Sequence, residues 1–331
     1  MEQNDQRNFM LAIFLMLGVL LAWQAFVLEP QQRARQEARE RAAAERPADL
    51  PDAPAATLAP RSRDDVVREE LAAGARVLLD ARSVDGSISL KGARIDDVSL
   101  KGFYETVADK EARNKAGEVE LLAPEGAERA FYAVVNWIGA PGLPTETSLW
   151  TQTSEGPLSD SNPLTLRWTA EGVRIDRTIS IDANYMFSVA DTVTNTGPAA
   201  ISVQPVAVMR QRQLPEHLKP PPQAHAGVIG VYGDAKNQMV KYRDLSKGRG
   251  VLEAVNAGWI ALTTKYWMAA AIPTQGQPVD MRASVLNQNG QFLYQAGYSG
   301  STFTVAPGES ITQTNQIFAG AKRVAVLDQY E

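Results

Sequence analysis

The residues most able to do chemistry are two histidines, His217 and His225, which both lie in the segment QLPEHLKPPPQAHAG. Together with Glu216 they supply three side chains of the types that bind zinc. Their spacing matches no zinc motif, and the intervening Lys-Pro-Pro-Pro is typical of a stiff, exposed connection. We therefore interpret this segment as a solvated loop.

Other candidate motifs also lack the context that their chemistry requires. GVIGVYG, residues 227–233, has glycines at the wrong spacing for a dinucleotide loop, and the Tyr298-Ser299-Gly300 stretch lacks the pattern of a nucleophile elbow. Asp96 and Asp97 are adjacent, so a regular strand would point them to opposite faces. The sequence predicts no enzyme, no cofactor or metal, and no small-molecule substrate.

The composition excludes further classes of function. The sequence contains no cysteine, which removes disulfides and thiolate chemistry, and its 44% hydrophobic content is ordinary for a globular domain. Its formal net charge is −5, with acidic and basic residues interspersed. A nucleic-acid partner is not expected, because that would require clustered basic residues.

The first structural element that the sequence predicts is an apolar segment near the N-terminus. Residues 9–28 read FMLAIFLMLGVLLAWQAFVL, twenty residues without a charge, and as a helix they span roughly 30 Å of hydrocarbon. The predicted anchor residues are Phe9, Phe14, Trp23, Phe26 and Leu28. A cleaved signal peptide is the alternative, but the apolar run is long for one and the preceding MEQNDQR is not basic.

The flanks of this segment bear on topology. Residues 1–8 contain one arginine, whereas five arginines lie between residues 33 and 46, so the positive-inside rule predicts a cytoplasmic C-terminal side.

Residues 29–62 read as a charged helix, followed by a linker with prolines at 47, 51, 54 and 60. The lipid bilayer is the first predicted partner.

From about residue 75 the hydrophobic periodicity changes to two. VRIDRTISI puts Val173, Ile175, Ile179 and Ile181 on one face. SISLKGARIDDVSL predicts two short strands around a turn, and FTVAPGESITQTNQIF predicts a hairpin turning at Pro-Gly. We predict a mainly β domain over residues 63–322, a large antiparallel β-sandwich that folds without the anchor.

GWIALTTKYWMAAAIP, residues 258–273, is too short to span a membrane as a helix and carries Lys265 at its middle. We predict two neighbouring buried strands. Trp259, Tyr266 and Trp267, together with Phe187, are the expected core aromatics; an exposed aromatic platform is the alternative.

The sequence resembles the bacterial YidC membrane protein insertases. QRNFMLAIFLMLGVLLAWQAF is similar to the start of that family, and five later segments are similar to its first periplasmic domain. They are SLKGARIDDVSLKGFYET, RIDRTISIDANYMFSVADTVTN, HAGVIGVYGDAKNQMVKYRDL, GWIALTTKYWMAAAIP and the terminal FAGAKRVAVLDQYE. The segments occur in order along nearly the whole chain.

The resemblance implies a cytoplasmic N-terminus and a periplasmic β-supersandwich similar to galactose mutarotase. This orientation is the reverse of the one that the arginine count predicts. It implies Sec translocon subunits and nascent membrane proteins as partners, with the segment 191–245 as the suspected contact surface. Residues 323–331 would begin the connection to a transmembrane core that lies outside this sequence. We therefore expect the 331 residues alone not to insert membrane proteins.

The alternative function is a membrane-anchored periplasmic carbohydrate-binding or mutarotase-like protein. Fold does not give function, and a mutarotase-like site needs a histidine and a carboxylate facing a cleft. Both histidines of this sequence lie in one proline-rich loop.

Overall fold

The computed structural model describes residues 50, 60–212, 225–232, 235–288 and 291–322. The predicted span with its five anchor residues, most of the linker, His217 and the segment 323–331 lie outside the described residues. Among the helices that are described, none is long and apolar enough to cross a bilayer.

The described helices are short. They are α1 (Arg63–Ala72), α2 (Val107–Ala112) and α3 (Tyr242–Leu245), with a single 3-10 turn at Lys115–Gly117. Helix α1 begins at Ser62, whose hydroxyl accepts the backbone N–H of Asp65 at 3.2 Å, and this bond satisfies one of the free N–H groups of the first turn.

Most of the other described residues form two antiparallel sheets. The first has ten strands, with β4 beside β3 and β18 beside β10, in the order β1-β2-β3-β5-β10-β17-β16-β13. Its strands are β1 (Arg76–Asp80), β2 (Val84–Ser89), β3 (Arg94–Tyr104), β4 (Glu118–Leu122), β5 (Phe131–Ile138), β10 (Ile201–Arg212), β13 (Val251–Val255), β16 (Val279–Gln288), β17 (Gln291–Ser299) and β18 (Phe303–Val305).

The second sheet has nine strands in the order β12-β11-β14-β15-β19-β9-β8-β7-β6. They are β6 (Thr151–Gln152), β7 (Leu164–Ala170), β8 (Val173–Ile181), β9 (Met186–Asn195), β11 (Gly227–Tyr232), β12 (Ala235–Lys241), β14 (Trp259–Thr263), β15 (Trp267–Ile272) and β19 (Ser310–Ala321). The predicted large antiparallel sandwich is confirmed.

Alternation of apolar residues explains how the two sheets meet. In β8 every second residue, from Val173 to Ile181, is buried and faces the first sheet. In β5 the inward residues are also apolar and include Phe131 and Trp137. The outer face of the first sheet carries a separate small apolar cluster, in which Leu50 packs with Tyr132.

The local predictions have different outcomes. The segment 258–273 forms β14 and β15, which pair with each other as predicted, and the β2–β3 hairpin is also present. The hairpin predicted at residues 303–318 is wrong. Its turn exists, with Gly308 at φ +80°, but β18 pairs with β10 in the first sheet, while β19 pairs with β9 and β15 in the second.

The physical reason is that this turn lies where the chain crosses between sheets. The Gly308 N–H donates to the Asn195 carbonyl at 2.9 Å, and the Asn195 amide donates to the Val305 carbonyl at 2.8 Å. A turn signal between two alternating segments does not distinguish a paired hairpin from such a crossover.

Candidate functional site

A cleft opens at one end of the sandwich, between the two sheets. It is bordered by β4 and the start of β5 from the first sheet, by the end of β10, and by the turn between β14 and β15 from the second sheet. Strands from both sheets end here, and the lining combines aromatic rings with charged side chains. Its members include Glu105, Arg129, Phe131, Arg212, Thr264 and Trp267.

Aromatic side chains cluster beside the cleft around Trp267. Trp267, the first residue of β15, is half-buried, and its ring packs edge-on against Phe103 with centroids 5.2 Å apart. Tyr266 lies in the turn, 6.2 Å from the Trp267 ring, and the ammonium of Lys265 lies 4.4 Å from the centre of the Tyr266 ring. Such a cation above an aromatic face is attracted by the ring electrons.

Tyr266 was predicted in the core, and this prediction is wrong, because 56% of its surface is exposed. The turn that joins β14 to β15 includes Tyr266, so its side chain is not held between the sheets. Phe187 is fully buried, whereas Trp259 and Trp267 are half-buried against the core.

Charged residues around the cleft are mainly paired. Arg129 approaches Glu105 at 3.6 Å, and Arg63 approaches Glu120 at 3.2 Å. Arg212 donates to the side chain of Gln288 at 3.1 Å. Within the described part of the chain, no group of three histidine or carboxylate side chains could hold a metal ion. The cleft therefore offers a surface of mixed charge with aromatic contacts.

The C-terminal end of the described chain is fixed to this cleft. The backbone N–H of Lys322 donates to the Tyr266 carbonyl at 2.8 Å. Its ammonium donates to the Thr264 carbonyl at 2.5 Å and approaches the His225 carbonyl at 3.5 Å. Partial burial lowers the pKa of Lys322. The imidazole of His225 bonds the Val228 carbonyl at 2.9 Å, so it is held by the chain's own backbone.

The N-terminal end of the domain meets the same region. Arg61 donates its backbone N–H to the Gly126 carbonyl at 3.0 Å and accepts the N–H of Glu128 at 3.0 Å. The loop between β4 and β5 that makes these bonds also borders the cleft, through Ala123 and Arg129. Arg61 and Lys322 therefore both lie beside the cleft.

A second group of charged side chains lies deep between the sheets. Arg177 of β8 donates two bonds to the Asp191 carboxylate, both at 2.7 Å, and one to the Val135 carbonyl at 2.8 Å. The indole of Trp137 donates to the same carboxylate at 2.9 Å, and Trp150 lies 4.6 Å from the guanidinium. Both charged residues are fully buried, and the group links the second sheet to β5 of the first.

This pair was not predicted from the sequence, although a signal was present. Arg177 occupies an inward position of VRIDRTISI, between Ile175 and Ile179, and Asp191 occupies an inward position of β9. A charge on the apolar face of an alternating strand indicates a buried partner, because an unpaired buried charge is costly.

The prediction that Asp96 and Asp97 point to opposite faces of a regular strand is wrong. The register of β2 and β3 shifts between Ser87 and Ile88, which leaves Asp96 as an extra residue in β3. At such a bulge two consecutive residues face one partner, so the strict alternation assumed for the pair is interrupted. Arg76 donates to Asp96 at 2.9 Å and to the Ser87 hydroxyl at 3.1 Å, and that hydroxyl donates to Asp97 at 2.5 Å.

These two carboxylates belong to a network on the outer face of the first sheet, at its contact with α1. Arg63 donates to Asp97 at 2.7 Å. Burial raises the pKa of Asp97, and the charge of Arg63 and the Ser87 hydrogen bond oppose that rise. Both carboxylates are bonded to arginine or serine side chains of the chain itself, which fits a structural role.

The segment 191–245 is more buried than its suspected contact role requires. Strand β10 lies at the centre of the first sheet, and ten of its twelve residues are buried. Strand β12, in contrast, is an edge of the second sheet, and Met239 on it is 56% exposed. Within the described part of this segment, the edge strand β12 is therefore one surface that a partner could reach.

Comparison with known proteins decides the family. Residues 76–331 match the model of the YidC periplasmic domain. The chain belongs to the YidC membrane protein insertase family. It is 36% identical to the membrane protein insertase YidC of Methylobacterium radiotolerans over 99% of its length, and 36% identical to that of Maricaulis maris, also over 99%. It spans 57% and 55% of the length of these two relatives.

Solved structures with a similar arrangement of strands include a galactose mutarotase-related enzyme from Lactobacillus acidophilus. It matches 74% of this YidC-family chain and 97% of its own, with a TM-score of 0.47 and 10% sequence identity. A likeness of this size carries no argument about sugar binding by the YidC-family chain.

Proposed function

We propose that this chain is the membrane-anchored, periplasmic part of a YidC-type insertase, which aids the insertion and folding of inner-membrane proteins with or without the Sec translocon. The observation that carries the proposal is the 36% identity, over 99% of the chain, to a relative named membrane protein insertase YidC. The lipid bilayer and nascent membrane proteins are its partners in this proposal.

The proposed topology places the N-terminus in the cytoplasm, residues 9–28 in the inner membrane and the β domain, residues 63–322, in the periplasm. The family description of residues 76–331 as a periplasmic domain supports this orientation. The arginine count predicts the reverse, but that count is a weak guide when a long domain is translocated.

For the Sec translocon we propose contact through the edge strand β12. An edge strand presents unpaired backbone groups to which another chain can add a strand. Met239 on this edge is 56% exposed, and apolar contact would add to the backbone pairing. A photo-crosslinking residue at Met239 is expected to capture a translocon subunit, while the same residue at the exposed Glu309 captures none. Equal capture at both positions would contradict the proposed surface.

The function is tested with a chimera in cells depleted of the native insertase. Residues 1–331 replace the corresponding part of the Methylobacterium radiotolerans relative, and a matched chimera carries an unrelated β-sandwich in place of residues 63–322. We expect the first chimera to restore growth and insertion of a dependent substrate, and the second to restore less at equal protein level. Failure of the first chimera, or equal insertion by both, would contradict a specific role for this β domain.

A further inference from the structure

We propose that the turn at residues 264–267, with Lys265 and Tyr266 at its tip, lies in the lipid headgroup region when the chain is anchored. The partner that this end of the sandwich fits is the bilayer interface itself. The inference rests on the proposed function, because a membrane-tethered chain is what holds this end near lipid.

The turn has the composition of an interfacial contact. Tyr266 is 56% exposed although it directly precedes a half-buried tryptophan, and the Lys265 ammonium lies 4.4 Å from the centre of its ring. Tyrosine rings are enriched at headgroup level, and lysine can keep its ammonium in water while its carbon stem lies on apolar surface.

The turn is also held rigidly. The Thr264 N–H donates to the Trp267 carbonyl at 2.9 Å, and Trp267 in turn packs against Phe103 at 5.2 Å. Tyr266 is therefore presented outward by a fixed support, which lowers the ordering cost of binding a surface.

Arg61 and Lys322 both lie at the end of the sandwich that carries this turn. Lys322, the last described residue, bonds the carbonyls of Tyr266 and Thr264. Arg61 bonds the β4–β5 loop that borders the same cleft. The proposed span precedes Arg61 in the chain, which favours this end of the sandwich for a contact with lipid.

The two carboxylates that border the cleft each have an arginine neighbour. Glu105 lies 3.6 Å from Arg129, and Glu120 lies 3.2 Å from Arg63, which Asp97 shares. Two positions beyond Glu105, the side chain of Val107 is 73% exposed and adds apolar surface to this region.

The opposite end of the sandwich differs in the exposed hydrophobic side chains that its turns carry. Strand β19 runs from Ser310 to Ala321, so Glu309 lies roughly 35 Å from the Tyr266 turn at about 3.4 Å per residue. Within the described residues, no exposed large hydrophobic side chain occurs in the turns at 171–172, 196–200 and 306–309.

The test uses the full chain, which contains no cysteine. Single variants Tyr266→Cys, Glu309→Cys and Trp23→Cys are labelled with bimane and reconstituted into phosphatidylcholine and phosphatidylglycerol vesicles that carry nitroxide-labelled headgroups. We expect quenching at position 266 to exceed that at position 309 by about threefold or more, because interfacial aromatic residues sit at headgroup depth. Equal quenching at 266 and 309 would overturn the inference.

The label at position 23 separates this inference from the proposed function. Quenching at 23 without quenching at 266 overturns the lipid contact and leaves the anchored topology in place. Absence of quenching at both positions overturns both. Pyrene labels at position 266 test for a second copy of the chain, and excimer emission there without headgroup quenching would replace lipid by self-association.

A charge variant provides a further check. With the label moved to Val107→Cys, the substitution Lys265→Glu is expected to reduce quenching in vesicles containing phosphatidylglycerol and to change it little in phosphatidylcholine alone. Unchanged quenching in both, with an unchanged unfolding midpoint, would overturn the electrostatic part of the contact.

Discussion

The centre of the sandwich and its cleft end both combine aromatic rings with charged side chains, but they bury them differently. At the centre, Arg177 and Asp191 are fully enclosed and each makes several hydrogen bonds. At the cleft end, by contrast, Tyr266 is 56% exposed and Trp267 is half-buried. Charged groups that are buried and hydrogen-bonded tie their side chains to the fold, whereas exposed rings stay accessible to a surface.

The difference predicts that substitutions at the centre act on stability. Asp191→Ala leaves Arg177 buried without its carboxylate, so we expect the free energy of unfolding to fall by about 3–5 kcal/mol. Denaturant titration measures this loss. The neighbouring Thr192→Ala, which removes a hydroxyl bonded to Thr312 on an exposed face, should cost much less. A loss for Asp191→Ala below about 1 kcal/mol would contradict a stabilising role for this buried group.

Trp267 is intermediate in burial between the fully buried residues of the centre and the exposed Tyr266 of the cleft end. Because its ring is half-buried, Trp267→Ala should cost about 1–3 kcal/mol, less than the roughly 3–5 kcal/mol expected for the fully buried Phe187→Ala. Thermal unfolding of both variants gives the comparison. Equal losses would place Trp267 in the core and weaken the distinction between the cleft end and the centre.

The outer network of the first sheet gives a pH-dependent prediction. Burial raises the pKa of Asp97 in the folded chain above its ordinary 3.8. Protonated Asp97 therefore stabilises the fold below pH 3.8, and this stabilisation is lost as the pH rises through the raised folded-state pKa. Asp97→Asn does not ionise, so its stability relative to the unsubstituted chain should rise as the pH rises from below 3.8 through the raised folded-state pKa of Asp97.

Asp80 is the matched control for this measurement. Bonding to Lys101 lowers the pKa of Asp80, so its contribution is present above the ordinary pKa and is lost as pH falls. The relative stability of Asp80→Asn should therefore change with pH in the opposite direction. Parallel pH profiles for the two variants would contradict this assignment of the two carboxylates.

The smallest expected effect on stability belongs to Tyr266. Its exposed ring supports little of the fold, so Tyr266→Ala should change the free energy of unfolding by less than about 0.5 kcal/mol. Denaturant midpoints measured beside those of Trp267→Ala test this directly. A loss as large as that of Trp267→Ala would mean that the ring is structural and not available to a surface.

Much of the architecture followed from the sequence because strand alternation and turn residues are local. The paired strands β14 and β15 are an example, since Lys265 interrupts two apolar runs of strand length. Local patterns could not show which sheet a strand joins, and for that reason the crossover at Pro307-Gly308 read as a hairpin. The bulge beside Asp96 was hidden because it arises from pairing with Ser87.

The cleft end was less predictable for a related reason. An exposed tyrosine and a buried one look alike within an apolar segment, so Tyr266 was assigned to the core with its neighbours. The contact of Lys322 with the Thr264 carbonyl joins residues far apart in sequence and leaves no local pattern. Arg177 differs, because its inward position in β8 could have been read from the alternation alone.

In the proposed topology the β domain lies outside the inner membrane, with its cleft end toward the lipid. The most direct measurement is reaction of Glu309→Cys with a membrane-impermeant maleimide, in cells whose outer membrane alone has been permeabilised. We expect labelling without lysis of the inner membrane. Labelling only after lysis would place the domain in the cytoplasm, as the arginine count predicts, and would contradict the proposed topology.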